Sequence, residues 1–569
     1  MSAGARWPCP GVRFSDTLSA MAAEQLPLVP DLLHAVPMQR IDFEQTRFAI
    51  NLAFAGGVSG GLFSDALEKA TLAPSTWAPA SFAGDLFLQR FVAQCFKIQI
   101  GKVSPTSVTG HLLRLLAQPP DDPEVVGFRR FILAELVQSA QLRASLESLY
   151  LDIARLRGLF ESTGAMRIWD ANRRKLDILQ TFKQIIDTMA DAFGSASSGL
   201  RRLAEFGSLI RNSEPYRALA DLLGYDAELA TMNLRVSIGA DGRIRKFQIE
   251  AIRENTANAF VNPAWRRWLA KLELFARGYR LSESEVMARL IDSVFSGLEL
   301  PFVALVQCFG DLEFYLGALG FRDRAQGVGL EVCLPDFVGP DDARALHGLF
   351  NPLLLMSGVV PVPCNLDFAG ESSTMLITGP NSGGKTRLLQ SLGLAQLLAQ
   401  GGVFIPARAG RVRWASGLIA SLIEETKADQ MEGRLGMELV RIRALFESLP
   451  PGAMVILDEL CSGTNPSEGE QIFELVVSML NRLRPQAFIT THFLTFAARL
   501  EQSGKISGLG FLQVELDPQR RPTYQFTAGV ARTSLASHTA ERLGVTGEQL
   551  LQLIEQNVHK HNSLRQVRN

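Results

Sequence analysis

The feature that most constrains this chain is a glycine-rich loop with the sequence GPNSGGKT. The apolar run Thr374–Thr378 precedes the loop, and a stretch with helical character, Arg387–Gln400, follows it. Glycines let backbone N–H groups turn inward around phosphate oxygens, and the following helix adds the positive end of its dipole. The GxxxxGK[ST] spacing between a strand and a helix therefore predicts a nucleoside triphosphate site. The predicted nucleotide-binding residues are Gly379, Pro380, Asn381, Ser382, Gly383, Gly384, Lys385 and Thr386.

Two acidic residues follow a second apolar strand. The run Ala453–Leu457 leads directly into Asp458 and Glu459, and the carboxyl ends of parallel strands form the ligand-binding edge of a sheet. Because Mg²⁺ prefers hard oxygen ligands, Asp458 and the hydroxyl of Thr386 are the predicted metal ligands. Glu459 is the predicted base or orienter of an attacking water. A solvated acidic turn is the alternative, and the complete phosphate loop beside it favours the metal site.

A third apolar strand, Ala487–Thr491, ends at His492. A neutral imidazole at this position would contact the γ-phosphate or its water, although a lone histidine at a strand end is more often structural. Lys385 is expected to reach the β- and γ-phosphates. Three strands that end in a phosphate loop, an Asp-Glu pair and a histidine predict an ATP-hydrolysing α/β domain.

Together these motifs resemble the ATPase domain of the MutS family. The most specific matches are Thr378-Gly379-Pro380-Asn381, Gly384-Lys385-Thr386, Leu457-Asp458-Glu459, Gly463-Thr464, Glu468-Gly469 and Thr491-His492-Phe493. Weaker matches extend the resemblance over about residues 340–555, and they include His347-Gly348, Gly402–Ala407, Tyr524, Gly529 and Gly544-Val545.

The resemblance implies ATP and Mg²⁺ as cofactors and assigns roles to single residues. Asn381 would bridge the phosphates, Glu459 would activate water and His492 would sense the γ-phosphate. Tyr524 would stack on adenine, and a core-packed tyrosine is the open alternative. The family also implies a homodimer in which each protomer's signature loop faces its partner's ATP. The residues of this loop are Gly433, Arg434 and Leu435.

The signature loop departs from the family pattern. Leu435 stands where the family has a serine, and no Ser or Thr lies between Thr426 and Ser448. Cys461 likewise belongs to a variant of the usual Arg-Gly-Thr-Ser core. The hydroxyl that would contact the partner's γ-phosphate is therefore missing, and we expect slow hydrolysis.

Composition indicates a protein of several domains. The 569 residues are 47% hydrophobic with a formal net charge of −1, so no global charge attracts nucleic acid. Six cysteines without zinc spacing predict a reducing, cytoplasmic location. Residues 1–24 lack the apolar core of a secretory signal, and the apolar stretch Leu300–Phe309 is too short to span a bilayer. No membrane segment is expected.

Helical spacing of apolar residues dominates the first half, over residues 82–160, 176–209 and 265–290. Leu234–Ile238 and Ile244–Ile252 alternate around a glycine-containing turn, which predicts a β-hairpin. Such an insertion between long helices is similar to the MutS core, lever and clamp. The predicted fold is multidomain, with a mainly α-helical core and lever region followed by an α/β P-loop domain of the ABC type. Its predicted parts are a loose N-terminal tail at 1–40, the helical region with its β insertion at 41–340, and the ATPase domain with C-terminal helices at 341–569.

Two basic patches are candidate DNA contacts. Arg243, Arg245 and Lys246 lie on the predicted hairpin, and the run 265–268, with sequence WRRW, lies with Lys271 on a predicted helix. Lysines and arginines contact phosphates in most non-specific DNA binding. An ordinary polar strand edge and a solvated helix face are the alternatives, and both stay open.

The family resemblance points to DNA repair and mismatch repair, but none of the 34 phenylalanines begins the Phe-x-Glu motif of the mismatch reader. Little room is expected for N-terminal mismatch and connector domains or for an appended C-terminal nuclease. The leading interpretation is an ATP-dependent, homodimeric DNA clamp that hydrolyses ATP to ADP and phosphate without reading mispairs in the usual way. The alternatives are a nucleotide-gated protein scaffold with no nucleic-acid role and a sensor of branched or stalled nucleic acid.

Overall fold

A computed structural model describes most of the chain between residues 29 and 566. The described residues exclude 58–59, 162–170, 229–230, 239–243, 254–282, 356, 371–372, 423–433, 462–464 and 533–544. Contacts divide the chain into two compact units: residues 1–71 with 131–313, and residues 72–130 with 314–569.

Helices and strands are numbered here in chain order. The described helices are α1 (Phe43–Phe54), α2 (Leu62–Glu68), α3 (Leu88–Gln94), α4 (Thr109–Ala117), α5 (Pro123–Gln138), α6 (Ala140–Glu161), α7 (Ala171–Ala192), α8 (Arg201–Arg211), α9 (Glu214–Glu228), α10 (Glu283–Ser296), α11 (Glu299–Gln326), α12 (Pro352–Leu355), α13 (Lys385–Gly401), α14 (Arg434–Ser448), α15 (Pro466–Leu483), α16 (Leu494–Ser503) and α17 (Gly547–Gln566). The described strands are β1 (Thr231–Ile238), β2 (Ile244–Arg253), β3 (Asp336–Val338), β4 (Arg344–Leu349), β5 (Cys364–Phe368), β6 (Thr374–Thr378), β7 (Ala409–Arg413), β8 (Leu418–Ser421), β9 (Met454–Leu457), β10 (Gln486–Thr490), β11 (Leu509–Leu516) and β12 (Pro522–Ala528).

The first unit is mainly helical and carries one β-hairpin. Strand β1 pairs with β2 in antiparallel register, so the predicted hairpin is confirmed. Aromatic rings build part of the core: Tyr150 stacks on Phe309 with ring centroids 5.1 Å apart, and Phe182 lies 4.3 Å from Phe302. These rings lie on α6, α7 and α11, whose apolar residues recur at helical spacing.

A buried charge network holds the start of this unit. The Arg40 guanidinium contacts both Asp31 and Asp311, and all three side chains are fully buried. Burial raises the pKa of Asp311 to about 7. Burial also acts to raise the pKa of Asp31, but its hydrogen bond with His34 and the charge of Arg40 outweigh that effect and lower it. The prediction of a loose tail over 1–40 is therefore wrong for residues 29–40, because long-range partners that no local pattern reveals fix this segment.

We expect Arg40→Ala to lower the free energy of unfolding by about 3–5 kcal/mol, because removing one partner leaves buried carboxylates without their counter-charge. Urea denaturation followed by circular dichroism measures the change. The control is Arg443→Ala, which breaks an exposed ion pair with Glu447 on α14 and is expected to cost about 0.5 kcal/mol or less. Equal effects of the two variants would contradict a structural role for the buried network.

The second unit is built on a six-stranded sheet with the order β12-β11-β6-β10-β9-β8. The five strands β11, β6, β10, β9 and β8 are parallel to one another, and the edge strand β12 is antiparallel to β11. Every residue of β6, β9 and β10 is buried, as expected of strands covered on both faces. The strands predicted at 374–378, 453–457 and 487–491 are confirmed within one residue at each end. A smaller sheet has the order β3-β7-β4-β5.

Residues 72–130 belong to this second unit rather than to the helical one. Three side chains of the segment bind the backbone around β8, the edge strand of the large sheet: Thr76 Oγ1 donates to Ser416 O at 2.8 Å, Ser81 Oγ donates to Leu418 O at 2.7 Å, and Asp85 Oδ1 accepts from Leu422 N at 2.7 Å. Such cover protects an edge strand from pairing with other chains. The division differs from the predicted boundary at residue 340, because these contacts join residues more than 330 positions apart.

Among the described residues, α11 alone is long and apolar enough to cross a membrane by length and composition. Its most apolar window is entirely buried inside the protein. The apolar stretch Leu300–Phe309 is therefore part of a longer buried helix of 28 residues.

Candidate functional site

The phosphate loop joins β6, in the middle of the large sheet, to α13. Gly379 and Gly384 have φ angles of +137° and +85°, a region that favours glycine over residues with a Cβ. A Cβ on Gly379 would lie 2.6 Å from Val514 Cγ2, and one on Gly384 would lie 3.3 Å from Tyr524 Cδ1. Helix α13 begins at Lys385, so its positive N-terminal end adjoins the loop.

The ammonium group of Lys385 lies inside this loop. Its Nζ donates to Gly379 O at 2.9 Å and to Pro380 O at 3.1 Å, and the residue is only 3% exposed. Burial lowers the pKa of Lys385, whereas the nearby charges of Glu459 and Asp458 act to raise it. A positive charge is thus held where the loop would receive phosphate oxygens.

Asp458 is bound through both of its carboxylate oxygens. Thr386 Oγ1 donates to Asp458 Oδ2 at 2.5 Å, and Thr490 Oγ1 donates to Oδ1 at 2.5 Å. The predicted metal ligands Thr386 and Asp458, 72 residues apart in the chain, are therefore in direct contact. A hydroxyl and one carboxylate fit Mg²⁺, which uses few protein oxygens and takes waters and substrate phosphates for the rest. The described residues contain no cluster of three or more His, Cys, Asp or Glu side chains.

Glu459 follows Asp458 in a left-handed backbone conformation, with φ +49°. For a residue with a Cβ this conformation costs about 1–2 kcal/mol, and such residues cluster at functional sites. Its backbone N–H donates to Thr490 Oγ1 at 2.7 Å. His492 is exposed after the end of β10, and its described ring contact is with Phe493. The structure brings Glu459 close enough to Lys385 for its charge to act on the ammonium. Among the described residues, no hydrogen bond or ion pair joins His492 to the phosphate loop.

Tyr524 lies beside the phosphate loop on the edge strand β12. Its side chain is 47% exposed, so the alternative interpretation, in which Tyr524 packs in the core, is wrong. Together with residues 381–388 it lines a cavity of about 490 Å³. Sequence interpretation missed the apolar wall of this cavity, Val359, Val360 and Val362, all of which are about half exposed. The VVPVP run at 359–363 is the signal that marks this wall.

The predicted signature loop and DNA contacts lie outside the residues whose side chains the structure describes. Gly433 and Arg243 lie outside the described residues. Arg434 and Leu435 begin α14, and Arg245 and Lys246 lie on β2, but their side chains are not described. The signature loop and the DNA contacts therefore stay predictions. The second basic patch, 265–268 with Lys271, also lies outside the described residues.

Comparison with known proteins identifies the segment that carries this site. Residues 375–561 match MutS domain V. The chain is 31% identical to endonuclease MutS2 of Thermus thermophilus over 304 residues, which are 52% of this chain and 38% of that protein. Endonuclease MutS2 of Caldanaerobacter subterraneus is 28% identical over 246 residues, 43% of this chain and 30% of the relative. Endonuclease MutS2 of Streptococcus equi is 32% identical over 188 residues, 32% of this chain and 24% of the relative. The chain thus covers less than two fifths of the length of these relatives.

Proposed function

We propose that this chain, which belongs to the MutS family through its domain V, is an ATP-dependent DNA-binding protein that hydrolyses ATP to ADP and phosphate. The observation that carries the proposal is the contact between Thr386, at the end of the phosphate loop, and Asp458, at the end of β9. Three groups thereby converge at the ends of β6 and β9: the Lys385 cation in the glycine loop, the Thr386 hydroxyl and the Asp458 carboxylate. This is the donor set that holds a nucleoside triphosphate with Mg²⁺.

Each residue of the site has its own proposed role in hydrolysis. Loop N–H groups and Lys385 bind the phosphates, and Tyr524 packs against the adenine at the apolar wall. Thr386 and Asp458 would hold Mg²⁺, which neutralises charge on the phosphate oxygens when it is bound. Glu459 orients the attacking water and accepts its proton, while the bond from the γ-phosphorus to the bridging oxygen breaks and ADP leaves. His492 senses the γ-phosphate.

The domain is proposed to act as a homodimer that opens and closes around double-stranded or branched DNA. In this arrangement Gly433, Arg434 and Leu435 face the partner's ATP, and the hairpin residues Arg243, Arg245 and Lys246 contact phosphates. Mispair reading is not part of the proposal, because the chain lacks a Phe-x-Glu motif.

A protein scaffold gated by nucleotide is the second candidate. The net charge of −1 favours it, because the chain as a whole does not attract nucleic acid. The two candidates share the ATP site and differ only in the partner. Nucleic-acid binding distinguishes them.

Phosphate release by the purified chain tests the ATPase proposal. We expect release from ATP with Mg²⁺ and none with excess EDTA. We expect Asp458→Asn to raise the Mg²⁺ concentration that hydrolysis requires, because it removes the charged ligand. The matched control is Asp517→Asn, in the turn between β11 and β12, where the carboxylate contacts Arg521; this variant should match wild type. Failure of the wild-type chain to release phosphate from ATP in the presence of Mg²⁺ would overturn the proposal.

Leu435→Ser is expected to raise turnover by about tenfold to a hundredfold with little change in ATP affinity. A hydrogen bond to a charged group contributes roughly 1.5–3 kcal/mol, and the serine would supply it to the transition state across the dimer. Steady-state phosphate release, measured at protein concentrations where the dimer forms, is the readout. Leu439→Ser is the control, since Leu439 is an exposed leucine of the same helix. An unchanged rate in Leu435→Ser would show that the signature loop does not limit turnover.

A further inference from the structure

One side chain outside the predicted site joins its two acidic residues. Thr490 is the last residue of β10, which lies between the phosphate-loop strand β6 and the Asp458 strand β9. Its hydroxyl donates to Asp458 Oδ1 at 2.5 Å and accepts from Glu459 N at 2.7 Å. The residue is completely buried. Both hydrogen bonds of a single hydroxyl therefore go to the pair that the proposed reaction needs.

The two bonds fix different properties of that pair. The bond to Asp458 Oδ1 sets the rotation of the carboxylate, while Thr386 binds the other oxygen, Oδ2. The bond from Glu459 N stabilises the left-handed backbone at φ +49°, which sets the direction in which the Glu459 side chain leaves the strand. Neither bond is needed to pair the strands, because β10 already pairs with β6 and β9 through its backbone.

We propose that Thr490 is a positioning residue that fixes the Asp458 carboxylate and the Glu459 backbone relative to the phosphate loop. The inference rests on the proposed ATPase function and adds to it a residue that acts through Asp458 and Glu459. Partners that orient a metal-binding carboxylate typically change metal affinity or activity by about 10–100-fold when they are removed.

Thr490→Val and Thr490→Ser separate the hydroxyl from the shape of the side chain. Valine keeps the volume and removes the hydroxyl, whereas serine keeps the hydroxyl. We expect Thr490→Val to lower kcat by about 10–100-fold, with little change in ATP affinity in EDTA. We expect Thr490→Ser to retain most of the wild-type kcat. Thr490→Ala, in which water can replace the hydroxyl, should lie between them and serves if the valine variant does not fold.

A readout apart from turnover is the binding of Mn²⁺ to the complex with ADP, followed by electron paramagnetic resonance. We expect Thr490→Val to weaken Mn²⁺ binding by about tenfold or more and Thr490→Ser to restore it. Thr374→Val is the matched control. Thr374 is 1% exposed at the opposite end of the neighbouring strand β6, and its hydroxyl has no hydrogen-bond partner among the described residues. This variant should bind Mn²⁺ and turn over like wild type.

The outcomes separate the two proposals. Wild-type kcat and Mn²⁺ affinity in Thr490→Val would overturn the role of Thr490 while leaving the ATPase proposal intact. Equal losses in Thr490→Ser and Thr490→Val would also overturn it, because the hydroxyl would not be the cause. Absence of hydrolysis and of nucleotide-dependent Mn²⁺ binding in the wild-type chain would instead overturn the proposed function.

Discussion

Glu459→Gln is expected to bind ATP like wild type and to hydrolyse it at least about a hundredfold more slowly. The amide is nearly isosteric, so the phosphate loop and Lys385 keep their contacts, but it cannot accept the proton of the attacking water. General-base contributions of about 10²–10⁴-fold set the scale of the loss. Because the loaded state persists, the variant should also accumulate as a dimer with ATP. Single-turnover phosphate release measures the rate, and size-exclusion chromatography with light scattering measures the dimer.

The control for this variant is Glu474→Gln, an exposed glutamate on α15 that undergoes the same chemical change. It is expected to turn over like wild type. Full turnover in Glu459→Gln would show that another group activates the water. In that case Glu459 would not be the base, and a different residue would have to accept the proton of the attacking water.

Lys385→Ala is expected to weaken ATP binding by at least about a hundredfold. The ammonium is held by two loop carbonyls at 2.9 and 3.1 Å, and charge-assisted hydrogen bonds to phosphate would be lost with it. The fold should survive, because the substitution removes a buried charge rather than stranding one. Equilibrium binding of a fluorescent ATP analogue measures the affinity, and thermal unfolding checks that the protein is folded.

An exposed lysine supplies the comparison for this experiment. Lys505→Ala, beyond the end of α16, should leave ATP affinity unchanged. If Lys385→Ala binds the nucleotide as tightly as wild type while remaining folded, the glycine loop is not the phosphate site.

The parts of the site that the sequence predicted are those with a local signature. The loop 379–386 has a fixed spacing, and Asp458 stands at the end of an unbroken apolar run. A parallel sheet brings the loop and Asp458 together, because the carboxyl ends of its strands lie at the same edge. The hairpin of β1 and β2 was predicted for a similar reason, since its alternation and turn lie within about 20 residues.

The parts that the sequence did not predict depend on distant partners. Thr490 looks like any β-branched strand residue until β10 is placed between β6 and β9. The sequence leaves two environments open for Tyr524, and only the position of β12 at the edge of the sheet decides between them. Arg40 shows the same limit, because a lone arginine gives no sign that carboxylates from residues 31 and 311 surround it.

The most direct test of the whole account is nucleic-acid binding by the full chain, measured by fluorescence anisotropy with ADP and with ATP. The panel contains homoduplex, G·T-mispaired, branched and single-stranded DNA, and RNA of matched sequence. We predict salt-sensitive binding that depends on DNA structure and nucleotide, is indifferent to the mispair, and weakens with a flatter salt dependence when Arg243, Arg245 and Lys246 are reversed in charge. A preference for the mispair would contradict the absence of mismatch reading. Failure to bind any nucleic acid with either nucleotide would contradict the DNA-binding function itself and favour the protein scaffold.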